Sequence, residues 1–140
     1  FRLADLYLIY AEACAHTGHF SEGLVYLNMI RKRAGVPEYT LAEVSDSDKF
    51  LKAVLEERFS ELYLEGMRLE DIRRYVNGAK YMSHDCYQGL NVLEKNLTFE
   101  TFNVRKNVEQ QYVWHDRMYL QQVPDNEVYA NPQMVQAPLY

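Results

Sequence analysis

Cysteines, basic runs and long apolar runs are scarce in this 140-residue chain, and each scarcity excludes something. Two cysteines, Cys14 and Cys86, are too few for a disulfide framework and lack metal-knuckle spacing. A link between them remains open, although a small buried thiol suits the helical surroundings of Cys14. No apolar run approaches the roughly 18 residues of a membrane-spanning helix. Lys and Arg number 15 against 20 Asp and Glu, for a net charge of -5 and a pI near 5.4, which argues against nucleic acid. Nucleophile elbow, phosphate loop and zinc signature are all missing, so nothing points to catalysis or to a cofactor. The chain opens on Phe1 and runs straight into a helical pattern with no cap or signal segment, so a fragment of a longer protein is expected.

What is present suits one folded domain or part of one: 48% apolar and 25% charged residues. Twelve tyrosines against six Phe and one Trp hint at a binding surface, since the ring supplies apolar area and the hydroxyl a polar handle.

The periodicity predicts a helix over 2–17 with Leu3, Leu6, Tyr7, Tyr10, Ala11 and Cys14 inward, and Ala11, Ala13 and Ala15 permitting close approach. A second is expected over 20–34, capped by Ser21, with Leu24, Leu27 and Ile30 inward and Gly35 and Pro37 as its stop. The hairpin resembles a tetratricopeptide unit, with Ala11, Gly18 and Gly23 at small-residue positions and Leu27 at a large one. One such unit cannot bury its own face and needs neighbours. A long helix follows over 47–76, capped by Ser45 or Ser47, kinked at Gly66 and ended by Asn77 and Gly78. Residues 79–96 read mostly as loop. Segments 98–104 and 112–120 alternate enough for strands paired as a small β-hairpin. An extended, proline-punctuated tail closes the chain, with Asp125 capping a helical turn. The fold class is mainly α.

The long helix carries an unusual stripe. At 100° per residue Glu57, Arg58, Glu61, Glu65 and Arg68 share a sector about 100° wide with Val54 and Ile72. A second polar stripe, Lys52, Glu56, Glu70 and Arg74, lies opposite and suits solvent. Packed carboxylates need partners, because an unpaired buried charge costs several kcal/mol. With three acids and two bases in the stripe, a further base should arrive from Arg2, Arg31 or Arg33. A structural charge network of Arg31, Arg33, Glu57, Arg58, Glu61, Glu65 and Arg68 is therefore expected. A carboxylate acid/base or metal cluster is the competing reading, and it lacks the Glu-x-x-His pair such a site would use.

Three blocks together resemble the SusD/RagB family, in its C-terminal portion. The first is FRLADLYLIYAEA followed by LNMIRKRAG, with Asn28, Arg31, Arg33, Ala34 and Gly35. The second is the pattern ER-x-x-EL-x-x-EG-x-R-x-x-D-x-x-R, carried by Glu57, Arg58, Glu61, Leu62, Glu65, Gly66, Arg68, Asp71 and Arg74. The third is MYLQQVPDNEVYANPQMVQAPLY, which departs from the family's closing motif at Gln122, Ala137 and Leu139. The resemblance implies the C-terminal part of a single SusD/RagB-like domain: helical hairpin over 1–36, long helix over 47–76, variable insertion over 77–116, closing tail over 117–140. It further implies a surface-exposed outer-membrane lipoprotein, anchored by a lipid outside this chain. Such a protein captures oligosaccharides or other nutrients, without cleaving them, for a SusC-like TonB-dependent transporter.

Glycan capture would use aromatic faces, and Tyr81, Tyr87, Tyr112 and Trp114 lie in or near the segment the resemblance leaves unclaimed. Packing under the loop or across the hairpin is the competing role for each. His16 with His19, and His84 with Asp85 and Cys86, are poorly placed for metal, since adjacent side chains diverge and Gly18 interrupts the first pair. A peptide-holding tetratricopeptide adaptor and a glycosidase with two converging carboxylates are the alternative functions.

Overall fold

In a computed structural model of the chain, residues 2–82, 87–92, 95–96, 98–108 and 113–140 are described. The fold is mostly helical, with one two-stranded antiparallel hairpin among these residues. The chain divides into two compact units, Phe1–Asp71 and Ile72–Tyr140.

In the first unit α1 (Leu3–Thr17) and α2 (Phe20–Ala34) form the expected helical hairpin. Each stops on a left-handed glycine, Gly18 at φ 78° and Gly35 at φ 72°. The residue before α2 is His19, so Ser21 lies inside the helix and does not cap it. The two helices approach closely at Gly23, where a Cβ would lie 2.6 Å from that of Cys14 and 2.8 Å from the Phe50 ring. Cys14 is a buried free thiol whose pKa burial pushes up; Cys86 lies outside the described residues.

The buried face of α1 is rotated from the expected one. Ala4, Leu8, Ala11 and Ala15 point inward with Asp5 and Glu12, while Leu3, Leu6, Tyr10 and Ala13 are exposed. Tyr10 instead stacks edge-on with Tyr26 and donates to Glu22, and that hydrogen bond pushes its pKa up to about 12.

α3 (Ser47–Glu61) packs on both helices. Its cap is neither Ser45 nor Ser47 but Asp46, which accepts from the Lys49 N–H at 2.9 Å. Ser47 Oγ donates to the Ala15 carbonyl at 2.6 Å, fastening α3 to the end of α1. Phe50 is fully buried, edge-on to Phe20, in the same core cluster as Leu8, Leu27, Val44 and Val54. Burying a side chain of that size fully is worth about 3 kcal/mol.

The long helix expected over 47–76 is two helices. α3 ends at Glu61 and α4 (Met67–Arg74) follows a corner in which Leu64 has φ 62° and Gly66 φ 80°. The cause is chemical as well as steric. Arg2 Nη2 donates to the Glu61 carbonyl at 2.8 Å, so a cation takes the oxygen a further turn would have used.

The second unit holds short elements. α5 (Gly78–Tyr81) begins at Gly78, which therefore starts a helix rather than ending one as expected. Strand β1 (Gln88–Leu90) pairs antiparallel with β2 (Arg105–Asn107), Gly89 opposite Lys106. The expected strand over 98–104 is instead α6 (Phe99–Phe102), because Thr98 and Thr101 form a reciprocal capping box that nucleates a turn. In the other expected strand, Asp116–Tyr119 forms a 3-10 helix. α7 (Asp125–Ala130) has Pro124 at its cap position and Asp125 inside its first turn, where the Gln122 amide holds it. The tail is tied back by Gln136, whose amide bonds both backbone groups of Val123 at 2.8 and 2.9 Å.

Candidate functional site

Within the first unit the charged residues singled out in the sequence converge. Arg58 is the most buried of them, 3% exposed. Its Nε donates to Asp71 at 3.0 Å and its Nη1 to Asp5 at 3.1 Å, with Glu12 4.0 Å away. One guanidinium thus joins α1, α3 and α4. A continuous helix would have put residues 58 and 71 about 20 Å apart, so the corner at 62–66 is what makes the pair. Asp5, Glu12 and Asp71 were not foreseen as members of this network. For Asp5 and Glu12 the signal was their seven-residue spacing along a face of Ala4, Leu8, Ala11 and Ala15, and for Asp71 its place in the second motif block.

Glu57 and Glu61 lie one turn apart at the end of α3, Glu65 lies in the corner beyond it, and each meets an arginine. Glu57 pairs with Arg31 at 2.6 Å, and Arg31 also donates to the Pro37 carbonyl at 2.7 Å and stacks over Tyr39. Glu61 takes Arg2 at 3.0 Å on one oxygen and Arg33 on the other, while Glu65 holds Arg2 at 2.6 Å. Arg68 lies over the Phe59 ring at 4.3 Å. Burial alone would raise the Glu61 pKa, but the hydrogen bonds from Arg33 and Arg2 outweigh it and hold the carboxyl below its ordinary range. A carboxylate held ionised in this way is a poor proton donor, which is the opposite of what a glycosidase acid needs. Glu57 and Glu61 are largely closed to solvent, while Glu65 is more open.

The aromatic candidates lie in the second unit. Tyr87 is half-buried and donates to the Met82 sulfur at 3.0 Å. Tyr81 is half-buried at the end of α5, with Lys80 Nζ 4.9 Å from its ring centre. Trp114 packs on Gly78 and meets the Tyr119 ring edge-on at 5.0 Å. Tyr112 lies outside the described residues, as do His84, Asp85 and Cys86. The His19 ring bonds Thr17 Oγ1 at 2.9 Å. Among the described residues no cluster of His, Cys, Asp and Glu is arranged to hold a metal ion, and no helix is long and apolar enough to cross a membrane. A groove of about 340 Å³ runs along α2 past Val25, Met29 and Leu41, and none of Glu57, Glu61 and Glu65 lines it.

Residues 1–140 match the model of the SusD family. The fold is similar to that of BT4246, at 49% identity and a TM-score of 0.88, a match covering 100% of this chain and 23% of that one. A selenomethionine form of BT4246 gives the same values with 24% of its chain covered. A SusD-like protein (BF3747) from Bacteroides fragilis NCTC 9343 is 29% identical with a TM-score of 0.79, over 98% of this chain and 24% of that one. The chain therefore spans about a quarter of the length of these solved relatives. No curated protein matches it.

Proposed function

This chain belongs to the SusD family, and from that premise we propose that it is the C-terminal part of a single SusD-like domain that captures nutrients at the cell surface. Oligosaccharides are the leading ligand class. The protein binds without cleaving and delivers its ligand to a SusC-like TonB-dependent transporter. Its place is the outside of the outer membrane, held by a lipid anchor in a part of the protein outside these residues.

The observation that supports this reading is a family match running from residue 1 to residue 140, across all three motif blocks. The charge network fits a scaffold in such a protein, since every one of Glu57, Glu61 and Glu65 is engaged by arginine. Ligand contact is assigned to the aromatic residues of the second unit, Tyr81 and Tyr87 among them, where ring faces and hydroxyls suit a sugar.

Calorimetry of the full-length protein against a panel of glycans tests the ligand class. Uptake of the bound glycan, with and without the partner transporter, tests the role. Binding of at least one glycan together with transporter-dependent uptake is expected. If every glycan fails and peptides bind, the tetratricopeptide-type adaptor takes its place.

A further inference from the structure

Trp114 has two candidate roles in such a protein, ligand platform or internal support, and its surroundings decide between them. The indole occupies the space beside the opening residue of α5, the buried Gly78. A Cβ at that position would lie 1.9 Å from Cε2, 2.1 Å from Nε1 and 2.4 Å from Cδ2 of Trp114, so only glycine admits the ring. The Gly78 N–H, one of the donors a helix start leaves unpaired, is donated to Tyr119 Oη at 2.8 Å. Tyr119 in turn meets the indole edge-on, with the planes at 62°. Arg73 Nε donates to the Met118 carbonyl at 2.9 Å, fastening the end of α4 to the same 3-10 turn. Nε1 of Trp114 is shut off from solvent and has no partner among the described residues. A sugar platform offers its face and its N–H outward, whereas here the pyrrole ring is turned into the backbone.

Tyr81 closes the same four-residue helix that Gly78 opens. We propose that Trp114, together with Gly78 and Tyr119, is a positioning residue for Tyr81. The indole fixes the start of α5, Tyr81 at its far end meets the ligand, and Trp114 touches no ligand. The ligand half of this rests on the capture reading above; the positioning half does not.

Full-length protein carrying 3-fluorotyrosine at position 81 separates the two. In Gly78→Ala the fluorine resonance should move or broaden, and affinity for a glycan bound by the unsubstituted protein should fall roughly tenfold. Trp114→Phe keeps a ring beside Gly78 and deletes the N–H, and should leave the affinity within about twofold. Tyr119→Phe removes the acceptor without adding bulk, should also displace the resonance, and carries the test if Gly78→Ala fails to fold. An unmoved resonance in both Gly78→Ala and Tyr119→Phe overturns the positioning role. Lost affinity in Trp114→Phe with an unmoved resonance makes the indole a ligand contact and overturns it equally. If the unsubstituted protein binds no glycan, the capture reading fails, and the resonance alone decides the positioning role.

Discussion

Residues 1–71 enclose their interior with three helices that share a core, whereas residues 72–140 are fastened by individual aromatic contacts and hydrogen bonds. Of the fourteen buried apolar side chains among the described residues, only Ile72 belongs to the second unit. The charge divides as unevenly: thirteen acids against eight bases in residues 1–71, seven against seven in 72–140, so the whole excess of -5 lies in the first. Part of that excess lies inside, for Asp5, Glu12, Glu57 and Asp71 are buried and arginine draws them together. The second unit relies on anchors such as Gly78 to Tyr119 and Gln136 to Val123. A unit built the first way should respond to loss of charge or core volume. One built the second way should respond to loss of a single anchor.

The largest expected effect follows from removing the central cation. Arg58→Met strands Asp5, Glu12 and Asp71 in the interior and should cost about 3 to 5 kcal/mol in urea unfolding. Arg73→Met, which loses the bond to the Met118 carbonyl in the second unit, should cost about 1 kcal/mol. Equal costs would break the contrast between the units. Next in size is Gly23→Ala, whose methyl meets Cys14 and Phe50 and should cost roughly 1 to 3 kcal/mol by thermal or urea unfolding.

Glu61→Gln should cost less, roughly 1 to 2 kcal/mol, because its partners Arg2 and Arg33 are 40% and 59% exposed and water screens them. Its sign with pH is fixed. The folded carboxyl titrates below its ordinary 4.5, so its contribution is whole above that pH and is lost as acid takes the protein down through the folded value. A stability curve for Glu61→Gln that still fell as steeply below pH 4.5 would assign the acid sensitivity to other groups.

The smallest effects sharpen the comparison from the other side. Asn28 bonds both backbone groups of Tyr39 at 2.9 Å, the same two-point amide clasp that Gln136 makes with Val123. Asn28→Ala and Gln136→Ala should each cost about 1 kcal/mol by urea unfolding. A much larger loss for Gln136→Ala would mean that the second unit depends on its anchors more heavily than the first.

How much could be read in advance follows the same division. The α1–α2 hairpin was legible because Gly18 and Gly35 punctuate two helical periods. The inward side of α1 was not, because counting apolar residues treats Asp5 and Glu12 as solvent-facing and turns the helix away from Arg58. The run from Ser47 to Arg74 has one unbroken period; Gly66 marked the place of a kink, but the full break into two helices, with Arg2 from the far end of the unit taking the Glu61 carbonyl, has no local signal. In the second unit the hairpin was expected but assigned to other residues, since Thr98 and Thr101 cap a turn inside an alternating stretch. The arginine partners of Glu57 and Glu61 were legible from charge imbalance. The position of Trp114 against Gly78 was not, because nothing in a sequence marks which glycine makes room for a ring.

The buried acids of α1 also have a history during synthesis. Arg58 lies 41 residues beyond the end of α1 at Thr17, so at about 5–20 residues per second the ribosome completes α1 roughly 2 to 8 s before it supplies the counter-ion. In that interval Asp5 and Glu12 must stay hydrated, because neither can leave water unpaired. The face of α1 that will become interior is thereby kept wet until α3 emerges. An early collapse of the nascent hairpin onto a wrong partner would have to bury those two charges first.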